Sequence, residues 1–266
     1  MKEEMRKNGL ESFVLSWKFV VVLVIAQFLL LPVATRGFDW HNSSGIIGYT
    51  LSHAFFQRMY AYSWIFQLLA LLVLMVLALK RNRWSTRLFL FYGGLINVLY
   101  AVIQNVAVSE KYGLSIVTVN VVMMLFVGWM WFRAALSSKY VFTFDNLSWK
   151  TVWLIPVALF CLWWPMDMHV ALPDADWKLL FTGASGMAFC SMTPVFLVVL
   201  LLNKNSDKGL LYALAWVGLV IGFYNMANFA SDSGFYLGVY HLPLLLISLY
   251  ALLSGRKRKE QICLEN

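Results

Sequence analysis

Neutral amides inside long apolar runs are the side chains of this sequence best suited to bind a ligand. Asn225, Asn228 and Asp232 step by three and four residues, so on a helix they would line one side. Asn97 and Gln104 are two helical turns apart and would also share a side. Because an amide without a partner in hydrocarbon costs several kcal/mol, such residues face other helices or a cavity.

Two interpretations of these amides follow from their chemistry. In the first, they line a pocket that opens outward and hydrogen-bond a small neutral or amphipathic molecule. In the second, each amide joins two helices by hydrogen bonds worth on the order of 1 kcal/mol, which is the simpler explanation for any single residue. The pocket hypothesis assigns ligand binding to Asn97, Gln104, Asn105, Asn120, Asn225, Asn228, Asp232 and His241.

The four histidines form a second set, and all of them fall on the side of the membrane predicted to be outside. The segment Met166-Asp167-Met168-His169 places two thioethers beside an imidazole, which are ligand types that suit copper. No spacing matches a zinc signature. The metal-ligand candidates are His53, His169 and His241, and ordinary interfacial histidines are the simpler interpretation. No cofactor is predicted.

Membrane-crossing helices must position these side chains. Hydrophobic residues make up 61% of the 266 residues and charged residues 13%, with a mean hydropathy of +0.71. Soluble domains are roughly half apolar and about a quarter charged, so the bilayer is the predicted solvent. Backbone groups must then be satisfied within each segment, which favours helices. Eight runs, most of them near the ~20 residues needed to span, predict an all-α, polytopic integral membrane protein: Trp17–Ala34, Tyr60–Leu79, Leu88–Ala107, Leu114–Phe132, Thr151–Met166, Leu179–Leu202, Leu210–Ala230 and Phe235–Leu253.

Basic residues are sorted between alternate gaps of these runs. Of the 21 Lys and Arg residues, all but Arg36, Arg58, Lys111 and Lys178 fall on the side that holds both termini. The positive-inside rule therefore predicts cytoplasmic termini, most simply in a plasma membrane. The net charge of +8 is explained by an inner face that meets anionic lipid, and nucleic acid is not an expected partner. The expected partners are the bilayer, an unidentified small molecule or lipid, and a second copy or another membrane protein.

A recurring tetrapeptide points to an internal repeat. Leu-Ser-Trp-Lys opens the first and fifth runs, at residues 15–18 and 147–150, and further along Asn105 aligns with Asn228. These matches predict one transmembrane domain, 1–266, with repeat halves 12–134 and 144–257. Four helices return the chain to its starting side, so the halves would be parallel, and parallel repeats in transporters hold a ligand between them. The alternative is chance combined with shared helix-end chemistry.

Small residues and a proline bear on the shape of the sixth run. Gly183 and Gly186, with Ala184 and Ser185 between them, make one side of a helix small, and Pro194 follows. Close packing against a neighbouring helix is the simpler interpretation. A hinge near a pocket is the alternative, because proline loosens the hydrogen-bond ladder of a helix.

The middle of every run lacks Asp, Glu, Lys and Arg. Proton relays, voltage sensors and retinal proteins need such groups and are not expected. No phosphate loop or nucleophile elbow occurs, and an enzyme is less expected than a carrier. The leading hypothesis is a protein that binds and moves a small neutral or amphipathic molecule between two four-helix halves. The alternatives are an outer-leaflet enzyme or metal-binding protein that uses edge His and Asp residues, and a non-catalytic partner subunit or sensor.

Overall fold

A computed structural model describes residues 9–137, 139–167, 171–230 and 234–264, with side chains described as far as Ser254. The fold is mostly helical. Residues 9–14 are helical, and the α-helices that follow in chain order are α1 Trp17–Leu29, α2 Ser43–Ser52, α3 Phe55–Met59, α4 Ser63–Lys80, α5 Arg83–Ile103, α6 Thr118–Leu136, α7 Leu154–Trp163, α8 Leu179–Thr182, α9 Phe189–Leu201, α10 Lys208–Asn225 and α11 Phe235–Leu264. Single 3-10 turns or short 3-10 helices occupy Trp40–Asn42, Tyr60–Tyr62, Ser185–Met187 and Met226–Ala230.

Five helical stretches of the described chain are long and apolar enough to cross a membrane. They are Trp40–Lys80, Arg83–Ile103, Thr118–Leu136, Lys208–Ala230 and Phe235–Ser254. A sixth forms if α8 with its 3-10 turn and α9, which meet at an angle of 95°, count as one broken span. At about 1.5 Å per residue, α1 and α7 measure about 20 Å and 15 Å, against a hydrocarbon core of about 30 Å.

Short strands replace several helix ends that the sequence predicted. The strands β1 (Val33–Ala34), β2 (Val106–Ser109) and β3 (Gly113–Ile116) form an antiparallel sheet in the order β1-β3-β2. A second pair, β4 (Met166–Asp167) and β5 (Leu172–Pro173), is also antiparallel. The predictions that helices contain Ala34, Ala107, Leu114 and Met166 are therefore wrong, and the purely α class needs these strands added.

Turn chemistry explains the three-stranded sheet. Gly113 has φ +63°, which favours glycine, and reverses the chain between β2 and β3. Thr35 Oγ1 accepts the N–H of Leu114 at 3.0 Å and ties β1 to the hairpin. Valine and isoleucine in the flanks favour extended backbone over a continued helix. Because of this sheet, the helices in the first and fourth predicted runs are shorter than predicted.

Glycines bring α5 and α6 into close contact at the centre of the fold. A Cβ atom at Gly93 would lie 2.5 Å from the Trp131 ring, and one at Gly94 would lie 2.6 Å from the Phe132 ring. Trp131 is fully buried and meets Phe89 and Phe196 edge to face, with ring centroids 5.5 and 5.2 Å apart. Phe196 belongs to α9, which is buried on nearly every side. The broken helix of the second half of the chain therefore contacts the core of the first half through Phe196.

The two ends of the bundle differ in chemistry. One end, here called the Lys-rich end, holds Lys80, Arg83, Arg133 and Lys208 at the ends of α4, α5, α6 and α10. Glu11 and Ser254 line one cavity there, so residues from the first and the last described helical segments meet at this end of the fold. The other end holds β1 to β3 and is here called the sheet end. Which end faces the cytoplasm remains a prediction of the charge pattern.

Candidate functional site

The sixth apolar run does not form the continuous helix predicted for Leu179–Leu202. It breaks after α8 at Gly183, passes through the 3-10 turn Ser185–Met187 and resumes as α9. Pro194 lies inside α9, so the break precedes the proline. Backbone that leaves a helix at membrane depth loses its internal hydrogen bonds and must find other partners. Those partners define the candidate site.

Gln67 of α4 supplies most of the hydrogen bonds on one side of the break. Its Nε2 donates to the carbonyl oxygens of Leu162 and Leu180, each at 2.8 Å. Its Oε1 accepts the N–H of Gly186 at 2.7 Å. Ser185 Oγ lies 2.5 Å from both Gln67 Oε1 and the Leu162 carbonyl, and its single hydrogen serves one of them at a time. One fully buried amide therefore connects α4, α7, α8 and the 3-10 turn.

Tyr100 of α5 and Gln104, the residue that follows α5, supply partners on the other side of the break. Tyr100 Oη donates to the Gly186 carbonyl at 3.0 Å, and Gln104 Nε2 donates to the Met187 carbonyl at 2.9 Å. Ser191 Oγ donates to the Ser185 carbonyl at 2.8 Å. Each carbonyl of the 3-10 turn thus accepts a side-chain hydrogen. We call these side chains the break cluster: Gln67, Tyr100, Gln104, Ser185 and Ser191.

A glycine sets how closely α4 approaches the break. A Cβ atom at Gly186 would lie 2.6 Å from the carbonyl carbon and oxygen of Phe66, which are backbone atoms that cannot swing away. The run of small residues from Gly183 to Gly186 therefore serves both interpretations made from the sequence. It packs closely against a neighbouring helix, and it is where the sixth run bends.

An apolar groove lies beside the break cluster. Its volume is about 470 Å³, and it runs between α7 and α8 on the outside of the bundle. Leu180 lines the groove, and its carbonyl oxygen accepts a hydrogen bond from Gln67. Leu180 therefore contacts both the groove and the break cluster. The remaining lining residues are Pro156, Leu159, Phe160, Trp163 and Trp177.

The predicted amides of α5 lie inside the protein. Asn97 is fully buried; its Nδ2 donates to the Gly93 carbonyl of its own helix at 2.8 Å, while its Oδ1 has no hydrogen-bond partner among the described residues. Asn105 Nδ2 lies 3.1 Å from the Tyr100 carbonyl and 3.2 Å from Met124 Sδ on α6. Of the predicted ligand residues in α5 and directly after it, Gln104 alone belongs to the break cluster.

The predicted amides of α10 form a separate pair near the end of that helix. Asn228 Nδ2 lies 3.4 Å from Asn225 Oδ1, and Asn225 Nδ2 donates to the Ile221 carbonyl at 2.8 Å. Both residues are half-buried, as is Asn120 on α6. Helix α10 packs mainly on α6, α9 and α11, whereas α5 packs mainly on α4 and α6. The two amide groups belong to different helix pairs, but both reach the start of α9, where Gln104 Oε1 accepts the N–H of Phe189 at 3.4 Å and Asn225 Nδ2 lies 4.0 Å from Cys190 Sγ.

The remaining predicted site residues do not form a shared site within the described chain. His241 is buried on α11, with Nδ1 2.6 Å from the Leu237 carbonyl and its ring edge-on to Trp164. His53 is exposed and stacks on Tyr49 with ring centroids 3.9 Å apart. Asp232 and His169 lie outside the described residues. Among the described residues, no three His, Cys, Asp or Glu side chains are grouped closely enough to hold a metal ion.

A polar cavity of about 450 Å³ lies at the Lys-rich end, and sequence reasoning missed it. Lys150, Lys204 and Lys208 line it together with Glu11. We call it the basic cavity. The signal that could have located it is the placement of these lysines in two gaps that both follow long apolar runs, since the ends of such runs meet at one end of a bundle.

An ion pair stands next to the basic cavity. Arg133 Nη2 at the end of α6 lies 2.9 and 2.8 Å from the two carboxylate oxygens of Asp207, which also caps α10 by accepting the N–H of Leu210. Tyr140 Oη donates to Asp207 Oδ2 at 2.9 Å. Burial and the adjacent Asp207 carboxylate raise the pKa of the Tyr140 hydroxyl above its usual value. This group joins α6 of the first half to α10 of the second.

Comparison with known proteins yields no match. The chain fits no protein-family model, and neither a curated protein nor a solved structure is significantly similar to it. The structure nevertheless defines a class. It is a mostly helical integral membrane protein whose described chain holds five or six helices able to cross a bilayer.

Proposed function

We propose that this protein binds and moves a small neutral or amphipathic molecule across a plasma membrane, using the broken span α8–α9 as its binding element. The observation that carries the proposal is the 95° break in an apolar span, held by polar side chains of α4 and α5. In transporters, discontinuous helices expose backbone groups that bind the substrate near the middle of the membrane.

The cost of building such a break supports a role beyond packing. A continuous helix would satisfy the same backbone groups without help, whereas the break occupies the fully buried Gln67, Tyr100 and Ser185. Those side chains hydrogen-bond backbone carbonyl and N–H groups of the break. A ligand with a hydroxyl or amide group can take the place of such a side chain, one bond for one bond. The adjacent apolar groove suits the hydrocarbon part of an amphipathic molecule.

The charge pattern supports a neutral ligand. The middle of each apolar run has no Asp, Glu, Lys or Arg, so no fixed charge is available to bind an ion in the membrane. In the proposed topology all eight runs cross the bilayer, both termini are cytoplasmic, and the halves 12–134 and 144–257 are parallel. Helices α1 and α7 complete their crossings through the adjoining non-helical residues.

Cysteine accessibility tests the proposal even while the ligand is unidentified. In a background where Cys161, Cys190 and Cys263 are replaced by Ala, Ser191→Cys reports on the break cluster. Leu95→Cys is the matched control, because Leu95 lies on the lipid-facing side of α5 and is 53% exposed. A membrane-impermeant thiosulfonate should modify Ser191→Cys faster than Leu95→Cys. Equal, negligible rates at both positions, with Glu110→Cys in the exposed turn reacting fully, would overturn the proposal.

A second candidate function is that of a non-catalytic partner subunit or sensor. It is favoured by the hydrogen bonds of Gln67, Gln104, Asn97 and Asn105, whose Nδ2 or Nε2 groups already lie against backbone carbonyls. In that case the polar side chains fix the fold, and the break stays closed to water. An unreactive Ser191→Cys variant that folds at normal yield is the result expected from this candidate.

A further inference from the structure

We infer that the basic cavity at the Lys-rich end binds a phosphate group, as carried by the headgroup of an anionic phospholipid. The inference rests on residues remote from the break cluster and is independent of the proposed transport. Lys150 comes from the connection between α6 and α7, Lys204 from the turn after α9, and Lys208 from the first turn of α10. Three separate segments of chain thus bring lysine residues to one concave surface.

The described residues that line the cavity carry more positive than negative charge. Glu11 is the one carboxylate among its lining residues, against three lysines. Within the described chain, the ion pair between Arg133 and Asp207 is the one salt bridge, so none of the three ammonium groups lies within 4.0 Å of a carboxylate. Asp145 lies close by, where its Oδ1 accepts the backbone N–H of Lys204 at 2.8 Å. An anion that enters this cavity would therefore meet an excess of positive charge.

The walls of the cavity are held in place by the protein's own hydrogen bonds. Asn203 Nδ2 donates to the Val199 carbonyl at 2.7 Å, and its Oδ1 accepts the N–H of Phe144 at 2.7 Å. Asn146 Nδ2 donates to the Leu201 carbonyl at 2.7 Å, and Thr151 Oγ1 donates to the Asn146 carbonyl at the same distance. A site whose shape is fixed before binding loses less entropy when its ligand arrives.

The apolar part of the lining favours a lipid over a free anion. Leu15, Leu200, Leu201 and Leu211 belong to the same cavity as the lysines. Basic pockets between the ends of transmembrane helices are recognised sites for anionic headgroups. A phospholipid would place its phosphate among the lysines and the start of an acyl chain against the leucines, whereas inorganic phosphate would use the charged part alone.

Lipid binding to the purified full-length protein tests this inference. Native mass spectrometry compares phosphatidylglycerol with phosphatidylcholine on the wild type, on a triple variant Lys150→Gln, Lys204→Gln, Lys208→Gln, and on a control triple variant Lys18→Gln, Lys80→Gln, Lys139→Gln. Both variants lose the same charge, and the control lysines lie outside the cavity lining. Phosphatidylglycerol binding should weaken by on the order of tenfold or more in the cavity variant and stay near the wild-type level in the control.

Further variants and ligands test two points: whether the phosphate belongs to a phospholipid or is free, and whether the shape of the cavity matters. Ser206→Trp fills the cavity without changing its charge and should weaken phosphatidylglycerol binding as well, whereas Lys→Arg at the three positions should preserve it. If inorganic phosphate binds with the same dependence on the three lysines and phosphatidylglycerol does not, the ligand is a free phosphate. If the cavity and control triple variants bind phosphatidylglycerol and phosphate equally well, the inference is wrong.

Discussion

Gln67 Oε1 accepts the N–H of Gly186 at 2.7 Å, and this bond fastens α4 to the point where the sixth apolar run breaks. The two residues are 119 positions apart, and both are buried. The amide of Gln67 also satisfies the Leu162 and Leu180 carbonyls, so removing it leaves four polar groups of the break without this partner. The broken span and its neighbours are thus interdependent, and this dependence can be measured.

Replacing Gln67 with Leu should strongly destabilise the protein. The variant keeps the volume of the side chain but leaves buried backbone groups unsatisfied, at about 1–3 kcal/mol for each group that finds no new partner. Gln27→Leu is the matched control, because the Gln27 amide makes one long bond to the Leu23 carbonyl, at 3.3 Å, and a contact to Met123 Sδ. Thermal unfolding in detergent should show a large drop for Gln67→Leu and a small one for Gln27→Leu. Equal drops would contradict the role given to Gln67.

Adding a methyl group at Gly186 should disrupt the packing of α4 against the break. The new Cβ would lie 2.6 Å from Phe66 backbone atoms, so relief requires movement of a whole helix rather than of one side chain. Gly48→Ala is the control, since nothing lies within 4 Å of a Cβ at that position. We expect a lower folded yield and melting temperature for Gly186→Ala and an unchanged or slightly higher temperature for Gly48→Ala. A Gly186→Ala variant as stable as the wild type would mean that α4 stands farther from the break.

The sequence could predict where the helices lie but not where all of them end. Continuous apolar length is a local signal, and each of the eight predicted runs overlaps a described helix. The ends depend on turns that pair distant segments, as where Thr35 bonds to Leu114 across the sheet. At the end of α7, Trp164 adopts φ +47° before Pro165, which stops the helix after ten residues. For this reason, run length predicts eight membrane crossings, whereas the described chain holds five or six helices long enough to cross.

The candidate site was only partly predictable for a related reason. Helical spacing correctly placed Asn97 on α5, whereas Gln104 follows the last residue of that helix; the hydrogen bonds of Asn97 turn back to its own helix while those of Gln104 reach the break. Spacing fixes a face of a helix and does not fix the element that packs against it. The contact between Gln67 and Ser185 joins residues 118 positions apart, which no local pattern encodes. The small residues from Gly183 to Gly186 were the one local signal of the break.

Removing the charge of Asp207 should loosen the junction of α6 and α10. Asp207→Asn retains a residue type able to cap α10 but leaves the Arg133 guanidinium without its counter-charge, at a cost of about 3 kcal/mol for a largely buried pair. Glu110→Gln removes a carboxylate from the exposed turn between β2 and β3 and should change stability by less than about 0.5 kcal/mol. Chemical unfolding of both variants in mixed micelles checks the comparison. If Asp207→Asn costs no more than Glu110→Gln, the pair does not hold the helices together.

Tyr140 should make the same junction sensitive to alkaline pH. Burial and the Asp207 carboxylate raise the pKa of its hydroxyl in the folded protein, so the unfolded chain loses this proton first as pH rises. The contribution of Tyr140 to stability is therefore full below its ordinary pKa of 10.0 and is lost as pH rises through the higher folded-state pKa. Tyr140→Phe cannot ionise, so its stability should fall less steeply above pH 10 than that of the wild type. Tyr62→Phe, at an exposed tyrosine, serves as the control and should follow the wild-type curve. Parallel curves for Tyr140→Phe and wild type would show that the hydroxyl ionises as readily in the folded protein as in the unfolded one.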